Sequence, residues 1–515
     1  MSFPRSSGIL LHPTSLPSAC GIGDFGPAAY TFADFLADSG QSIWQMLPLG
    51  PTGYGDSPYQ CFSAFAGNPM LISLVRLCDE GLLHAGDLHD LPRFSPDEIE
   101  YERVNQFKGE KLSQAFDAFQ SSSDAAHQNR FEAFREAERA WLFDYALFRA
   151  LKERFGEVAW PKWERRFALR EPAALEQARR HLAGRIAEQE FLQFLFFTQF
   201  EELKSYCREK KIRIMGDLPI YVAHDSADVW AHPEYFQLDE RGEAKLVAGV
   251  PPDYFSATGQ LWGNPIYRWD RMAANGYTWW IERFRAAFRM FDMLRVDHFR
   301  GFQAYWEVPG GEPTAQNGKW VKGPGAELFA AVEAKLGRLP IVAENLGVIT
   351  TEVEGIRERF GFPGMAILQF AFGNDPQGPS FRPHNYPRNI VAYTGTHDND
   401  TVIGWWTSKP GEASIRSEED IRKEHEFTRE YLGLEGDDIH WVFIRTLMAS
   451  VADTVIFPLQ DILGAGSEAR MNIPGTATGN WRWRVREKAV GPEVAGRLKD
   501  MARVYDRMPA VQARS

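Results

Sequence analysis

Short apolar runs, each stopped by a turn-forming or charged residue, recur eight times along this chain, at residues 9–11, 42–48, 211–219, 292–296, 339–343, 365–371, 389–393 and 453–457. Their length and their bounding glycines, prolines and acids predict strands, most of them separated by enough chain for a helix. Between residues 97 and 210 the pattern changes. Phe131, Phe134, Trp141, Leu142, Tyr145, Phe148 and Leu151 fall three and four apart with Glu and Arg between them, which predicts an amphipathic helix. Leu175, Leu182, Ile186, Phe191, Phe194 and Leu195 continue the pattern, and residues 120–124 read as a linker and helix cap. Eight strands with helical crossovers predict an α/β fold, a (β/α)8 TIM barrel spanning residues 1–515 as one domain. The stretch 97–210 reads as a mostly helical insertion and 218–275 as a loop-rich one. An open doubly wound sheet is the competing topology, but no strand runs into a GxGxxG fingerprint.

A parallel barrel gathers its functional groups at the carboxyl ends of its strands. Those ends carry Asp217, Asp297, Glu344 and the run His397-Asp398-Asn399-Asp400. Side chains alternate along a strand, so Arg295 and Asp297 point the same way. A permanent cation beside a carboxylate favours its charged form, which suits a nucleophile. Glu344 instead follows the apolar Pro340-Ile341-Val342-Ala343, which desolvates it and raises its pKa. Two carboxyl groups tuned apart in this way are the pair that retaining glycoside chemistry uses. A structural ion pair at a strand end is the bland alternative. A divalent metal held by His298, His397, Asp297 and Asp398 is another; Arg295 would repel it and no HxH or HExxH spacing supports it, so no metal is assigned. The glycine- and proline-rich loop 50–60, which follows the second strand, presents Tyr54, Ser57 and Tyr59 where binding groups collect.

Composition narrows the partners. A formal charge of −12 argues against nucleic acid and anionic membranes, both of which call for a basic footprint. The 37 Phe, 16 Trp and 16 Tyr either fill core or offer flat faces to sugar rings. Cys20, Cys61, Cys78 and Cys207 form no CxxC or metal spacing, which fits a reducing cytosol. The first residues lack a signal-peptide core and no apolar run approaches the ~20 residues that span a bilayer. A soluble cytoplasmic protein without a cofactor, monomeric or weakly homo-oligomeric, is expected.

The motifs Leu294-Arg295-Val296-Asp297-His298, Ala343-Glu344-Asn345-Leu346-Gly347, Thr396-His397-Asp398 and Asp217-Leu218-Pro219-Ile220-Tyr221-Val222 resemble signature segments of the amylomaltases, the 4-α-glucanotransferases of glycoside hydrolase family 77. The likeness continues in Ser57-Pro58-Tyr59, in 63–69, in Pro251-Pro252-Asp253-Tyr254-Phe255-Ser256 and in Met471-Asn472-Ile473-Pro474-Gly475-Thr476, so it covers nearly the whole chain in order. It implies Asp297 as nucleophile, Glu344 as general acid then base, and Asp398 as transition-state stabiliser. Arg295, His298 and His397 would surround the sugar at the cleavage subsite. Tyr59, Asp253, Gln260, Trp262 and Asn472 would line glucan subsites, with Tyr54 and Tyr101 at a second glucan contact. The implied partners are maltooligosaccharides and longer α-1,4-glucans. Arg382 stands where the family pattern has leucine, which leaves one distal subsite open. Residues 249–263, with their prolines, glycines and aromatic faces, read as a lid that shields the site from water. An α-amylase-type hydrolase and an inactive glucan-binding barrel are the rival functions.

Overall fold

The structure is a computed structural model that describes residues 3–252, 258–410, 417–436 and 438–509. In chain order its strands are β1 (Ser6–Leu10), β2 (Ile43–Gln45), β3 (Arg213–Leu218), β4 (Leu246–Val250), β5 (Gln260–Pro265), β6 (Met293–Val296), β7 (Ala304–Pro309), β8 (Lys319–Lys322), β9 (Ile341–Ala343), β10 (Gly364–Ile367), β11 (Ile390–Tyr393) and β12 (Thr454–Pro458). Eight of them lie side by side in the order β10, β11, β12, β1, β2, β3, β6, β9, and every pair runs parallel. The two edges approach each other where Ala343 N–H donates to Pro363 O at 2.9 Å, so the sheet curls into a barrel. These are the eight runs read from the sequence. The run 365–371 is shorter as a strand, because from Leu368 the chain winds into a 3₁₀ turn.

Alternation along each strand builds two separate cores. Leu10, Ile43, Met215, Met293, Val342, Met365, Val391 and Ile456 plug the barrel interior. Their strand neighbours Ile9, Trp44, Ile214, Leu294, Ile341, Ala366, Ala392 and Val455 face outward into the larger cluster beneath the helices. Strands buried on both faces must be apolar throughout, which is why they read as continuous runs rather than as alternating ones.

Residues 101–209 form the helices Tyr101–Ser121, Ala125–Ala137, Arg139–Arg154, Arg165–Ala168, Pro172–His181 and Ala183–Glu209. Asp124 caps the second, its Oδ1 accepting from Ala126 N at 2.9 Å and His127 N at 3.1 Å. The single amphipathic helix expected through 131–151 is broken at Glu138, whose backbone leaves helical geometry (φ −100°, ψ 6°). The Glu138 carboxylate accepts from Trp141 Nε1 at 2.7 Å and pairs with Arg289, contacts that a continuous surface helix would not offer it.

The stretch 218–275 differs most from its expected looseness. β4 and β5 form an antiparallel hairpin, and β4 pairs in turn with β7 and β7 with β8, giving a second, four-stranded sheet beside the barrel mouth. The flanks of the expected lid, residues 249–252 and 258–263, belong largely to this hairpin. Its middle, Asp253 to Ala257, lies outside the described residues.

Candidate active site

Three adjacent barrel strands deliver the charged groups. Register places Asp217 on β3 opposite Arg295 on β6, and Val296 opposite Ala343 on β9. One step further on, Asp297 and Glu344 therefore emerge side by side at the carboxyl ends of hydrogen-bonded strands. Arg295 is 4% exposed. Its Nη2 lies 3.0 Å from Asp297 Oδ1, the neighbour expected from strand alternation, yet its shorter contact, 2.6 Å from Nη1, is to Asp217 Oδ2. Tyr59 OH donates to that same Asp217 oxygen at 2.8 Å. Asp217 is fully enclosed, and burial pushes its carboxyl up against the downward pull of Arg295. It braces the guanidinium from the barrel side.

The link between the two catalytic candidates is a strained backbone. His298 takes the left-handed conformation (φ 46°, ψ 50°), uncommon for any residue but glycine. The turn directs its N–H at Glu344 Oε2, 2.7 Å away, while Leu346 N–H reaches Oε1 at 2.9 Å. Both carboxyl oxygens are thus oriented by main chain. Burial still dominates: it pushes the Glu344 carboxyl up to about 7, with Arg295 opposing the shift and the charge of Asp297 adding to it. The His298 imidazole is lowered by burial to about 4, so the ring is neutral at physiological pH. Trp262, on β5, meets that ring edge-on with centroids 4.9 Å apart, and its Nε1 donates to Gln260 Oε1 at 3.2 Å.

Loops after β11 and β12 close the other side. Asn472 Nδ2 donates to Asp398 Oδ1 at 2.7 Å, and His397 Nε2 lies 3.5 Å from Asp398 Oδ2. Tyr59 stacks on His397 (centroids 5.1 Å, planes 16° apart), and Trp481 backs both rings at 5.8 and 5.9 Å. Ser57 Oγ accepts from Tyr59 N at 3.2 Å and so holds the turn that carries the tyrosine.

A continuous set of contacts joins Asp217, Arg295, Asp297, Glu344, His298, Trp262 and Gln260 on one side and Tyr59, His397, Asp398 and Asn472 on the other. Tyr54 stands away from it, 77% exposed. Tyr101 does not share that position: it is buried, and its hydroxyl donates to Trp481 O at 2.7 Å, so the expected surface contact with glucan is replaced by a structural bond. Arg382 donates to Ala371 O at 3.2 Å and covers the Phe427 ring, pinning its own loop. Asp253 lies outside the described residues. Sequence reasoning missed Trp481 and Arg470. The first sits far along the chain with no local pattern to mark it. The second immediately precedes Met471–Thr476 and was legible only as a flanking residue. Among the described residues no group of three or more His, Cys, Asp or Glu side chains is arranged to hold a metal ion.

Comparison with known proteins places this geometry. The family model described as 4-alpha-glucanotransferase, glycoside hydrolase family 77, matches residues 11–489. The 4-alpha-glucanotransferase of Synechocystis is 52% identical over 98% of this chain and 98% of its own, and that of Thermus thermophilus 48% identical over 99% and 100%. Among solved structures, the amylomaltase from Streptococcus agalactiae in complex with acarbose superposes with a TM-score of 0.92 at 40% identity, covering 98% of this chain and all of the other. Matched across its barrel and its rim loops alike, the chain belongs to glycoside hydrolase family 77, the 4-alpha-glucanotransferases.

Proposed function

We propose that this 4-α-glucanotransferase moves a segment of an α-1,4-glucan to the 4-hydroxyl of glucose or of another glucan by two displacements at one anomeric carbon. Asp297 attacks while Glu344 gives its proton to the departing glycosidic oxygen; the bond to the leaving sugar breaks and a covalent glycosyl-enzyme forms. The ionised Glu344 then takes the proton of an incoming sugar hydroxyl, whose oxygen displaces Asp297 and restores the original configuration. Asp398 contacts hydroxyls of the distorted ring, and Tyr59 with His397 supplies a flat wall. Arg295 and His298 flank the same ring. Gln260, Trp262 and Asn472 line neighbouring subsites, and exposed Tyr54 offers a separate glucan contact.

The observation that carries this reading is the side-by-side emergence of Asp297 and Glu344 from paired strands. Neighbouring strands run about 4.8 Å apart. That spacing suits a retaining pair, at about 5–5.5 Å, better than an inverting pair, which needs about 6.5–9.5 Å to admit a water. The two N–H groups on Glu344 serve the second half of the cycle, because they stabilise the carboxylate left after proton donation.

Water at ~55 M competes with millimolar acceptor, an advantage on the order of 10⁴–10⁵, or about 6–7 kcal/mol. Effective molarities of ~10⁵–10⁸ M for an oriented acceptor exceed it. Starch- or glycogen-type glucans in the cytoplasm are the proposed setting; the four cysteines are all unpaired, which suits a reducing compartment. Incubation with maltotriose tests the reaction. Glucose together with a ladder of longer glucans is expected, whereas shortening alone would mean hydrolysis. Asp297→Asn tests the roles: turnover is lost while glucan binding remains, and retained turnover would remove Asp297 as nucleophile.

A further inference from the structure

We propose that Arg470 is a positioning residue that sets Asp398 and Asn472 in their working geometry. This deepens the reading above and rests on its assignment of Asp398 to the sugar ring. Asp398 and Asn472 come from different strands' loops, and Asp398 is exposed. A single hydrogen bond, Asn472 Nδ2 to Asp398 Oδ1, joins their side chains at 2.7 Å. The same two loops are also joined further along, where Ser467 Oγ donates to Asp400 Oδ2, but at the pair itself a bond between solvent-accessible side chains leaves more play than a reacting carboxylate tolerates.

Arg470 removes that freedom from behind. Its Nη2 donates to the main-chain O of Asp398 at 2.8 Å and its Nε to the main-chain O of Asn472 at 2.8 Å. One rigid planar group thereby grips both residues of the pair by their backbones, fixing the distance between Asp398 and Asn472. A guanidinium presents its donors in a fixed plane, whereas an ammonium is a point donor on a flexible stem, so lysine cannot span the two carbonyls in the same way. Burial lowers the Arg470 pKa, with the Asp400 and Asp398 carboxylates opposing the shift. The loop behind it is tied down independently. Asp400 Oδ2 accepts from Ser467 Oγ at 2.7 Å, and Gln369 Nε2 donates to Asp400 O at 2.8 Å. Arg470 is therefore not needed to hold the loops on the barrel, only to set their mutual register at Asp398.

A merely structural arginine would lower stability and leave the catalytic constants of the folded fraction alone. A positioning one lowers kcat with KM little changed, because the contact it governs strengthens as the ring distorts; misplacement on the scale of 1 Å costs on the order of 10²-fold. The test uses the full chain with maltotriose as substrate and measures kcat and KM for R470Q, R470K, N472A, R470Q/N472A and D398N, with thermal melts in parallel. Expected are a kcat loss on the order of 10²-fold for R470Q and most of that loss for R470K, with KM within about twofold. The combined loss in R470Q/N472A should be smaller than the product of the single losses, since both act on one carboxylate. In an R470A background, millimolar guanidinium should restore part of the rate and ammonium should not. Full kcat in R470K, a loss confined to KM, or single losses that simply multiply would overturn the proposal; if R470Q does not fold, R470K decides. D398N separates the two failures. If D398N keeps its turnover, the assignment of Asp398 fails; if D398N is inactive and R470K is normal, only the positioning role fails.

Discussion

Glu344 and His298 show how single residues divide labour here. The sequence reading that an apolar strand would raise the Glu344 pKa agrees with a carboxyl pushed up to about 7 by burial. As the proposed proton donor of the first step, it has to be protonated in the free enzyme. The kcat/KM for maltotriose should therefore fall with unit slope as pH rises through about 7, and this basic limb should vanish in whatever activity remains in Glu344→Gln. The same shift has a stability side. A carboxyl whose folded pKa lies above its unfolded value binds extra protons when folded, so its contribution weakens as pH rises from about 4.5 to about 7. Glu344→Gln, which never ionises, should match the parent protein in melting temperature near pH 4 and exceed it above pH 7. An unchanged difference across that range would argue against a raised pKa. His298 stores strain instead. Its φ of 46° costs any residue with a Cβ about 1 kcal/mol relative to glycine. Urea unfolding should find His298→Gly more stable than His298→Ala by about that amount, even though both lose the imidazole. None of this strain was legible in the sequence, because histidine gives no local sign of a left-handed backbone.

At the scale of elements, legibility followed periodicity. The barrel strands were recognisable because double burial made each an uninterrupted apolar run, and their acids stood at the ends where a parallel barrel needs them. The β4–β5 hairpin was not recognisable: Gly249, Pro251, Pro252 and Gly259 look like a loop, and the sheet that holds the hairpin is completed by β7, which pairs with β4 from far along the chain. The break at Glu138 was hidden for a similar reason, since the partners that stabilise it include Arg289, on another helix. Caps behave more locally. Asp124 was read as a cap from its linker context and carries two N–H groups of the following helix, so Asp124→Ala should cost about 1 kcal/mol in chemical unfolding.

Over the whole molecule, the helices of 101–209 are tied to the barrel by buried polar struts as well as by apolar packing. Lys108 is fully buried, its ammonium donating to Met70 O and Ile72 O at 2.7 Å each and to Asp24 Oδ2 at 3.4 Å. Lys108→Met would leave the Met70 and Ile72 carbonyls without their donor and the buried Asp24 carboxyl without its cation, still held by Gly26 N–H. It should lower stability by about 3 kcal/mol or more, read as an earlier cooperative melt, with the glucan chemistry of the folded fraction intact. By itself the sequence determined the (β/α)8 plan, the acids at its rim and the Arg295 neighbour of Asp297, because alternation and strand ends are local properties. Only the tertiary structure decided that Asp217 braces Arg295, that a strained His298 aims its N–H at Glu344, that Trp481 backs the Tyr59–His397 stack, and that Tyr101 is a buried strut. Each of those contacts joins residues separated by long stretches of chain, and which distant groups meet is settled by the closing of the barrel, which no local pattern encodes.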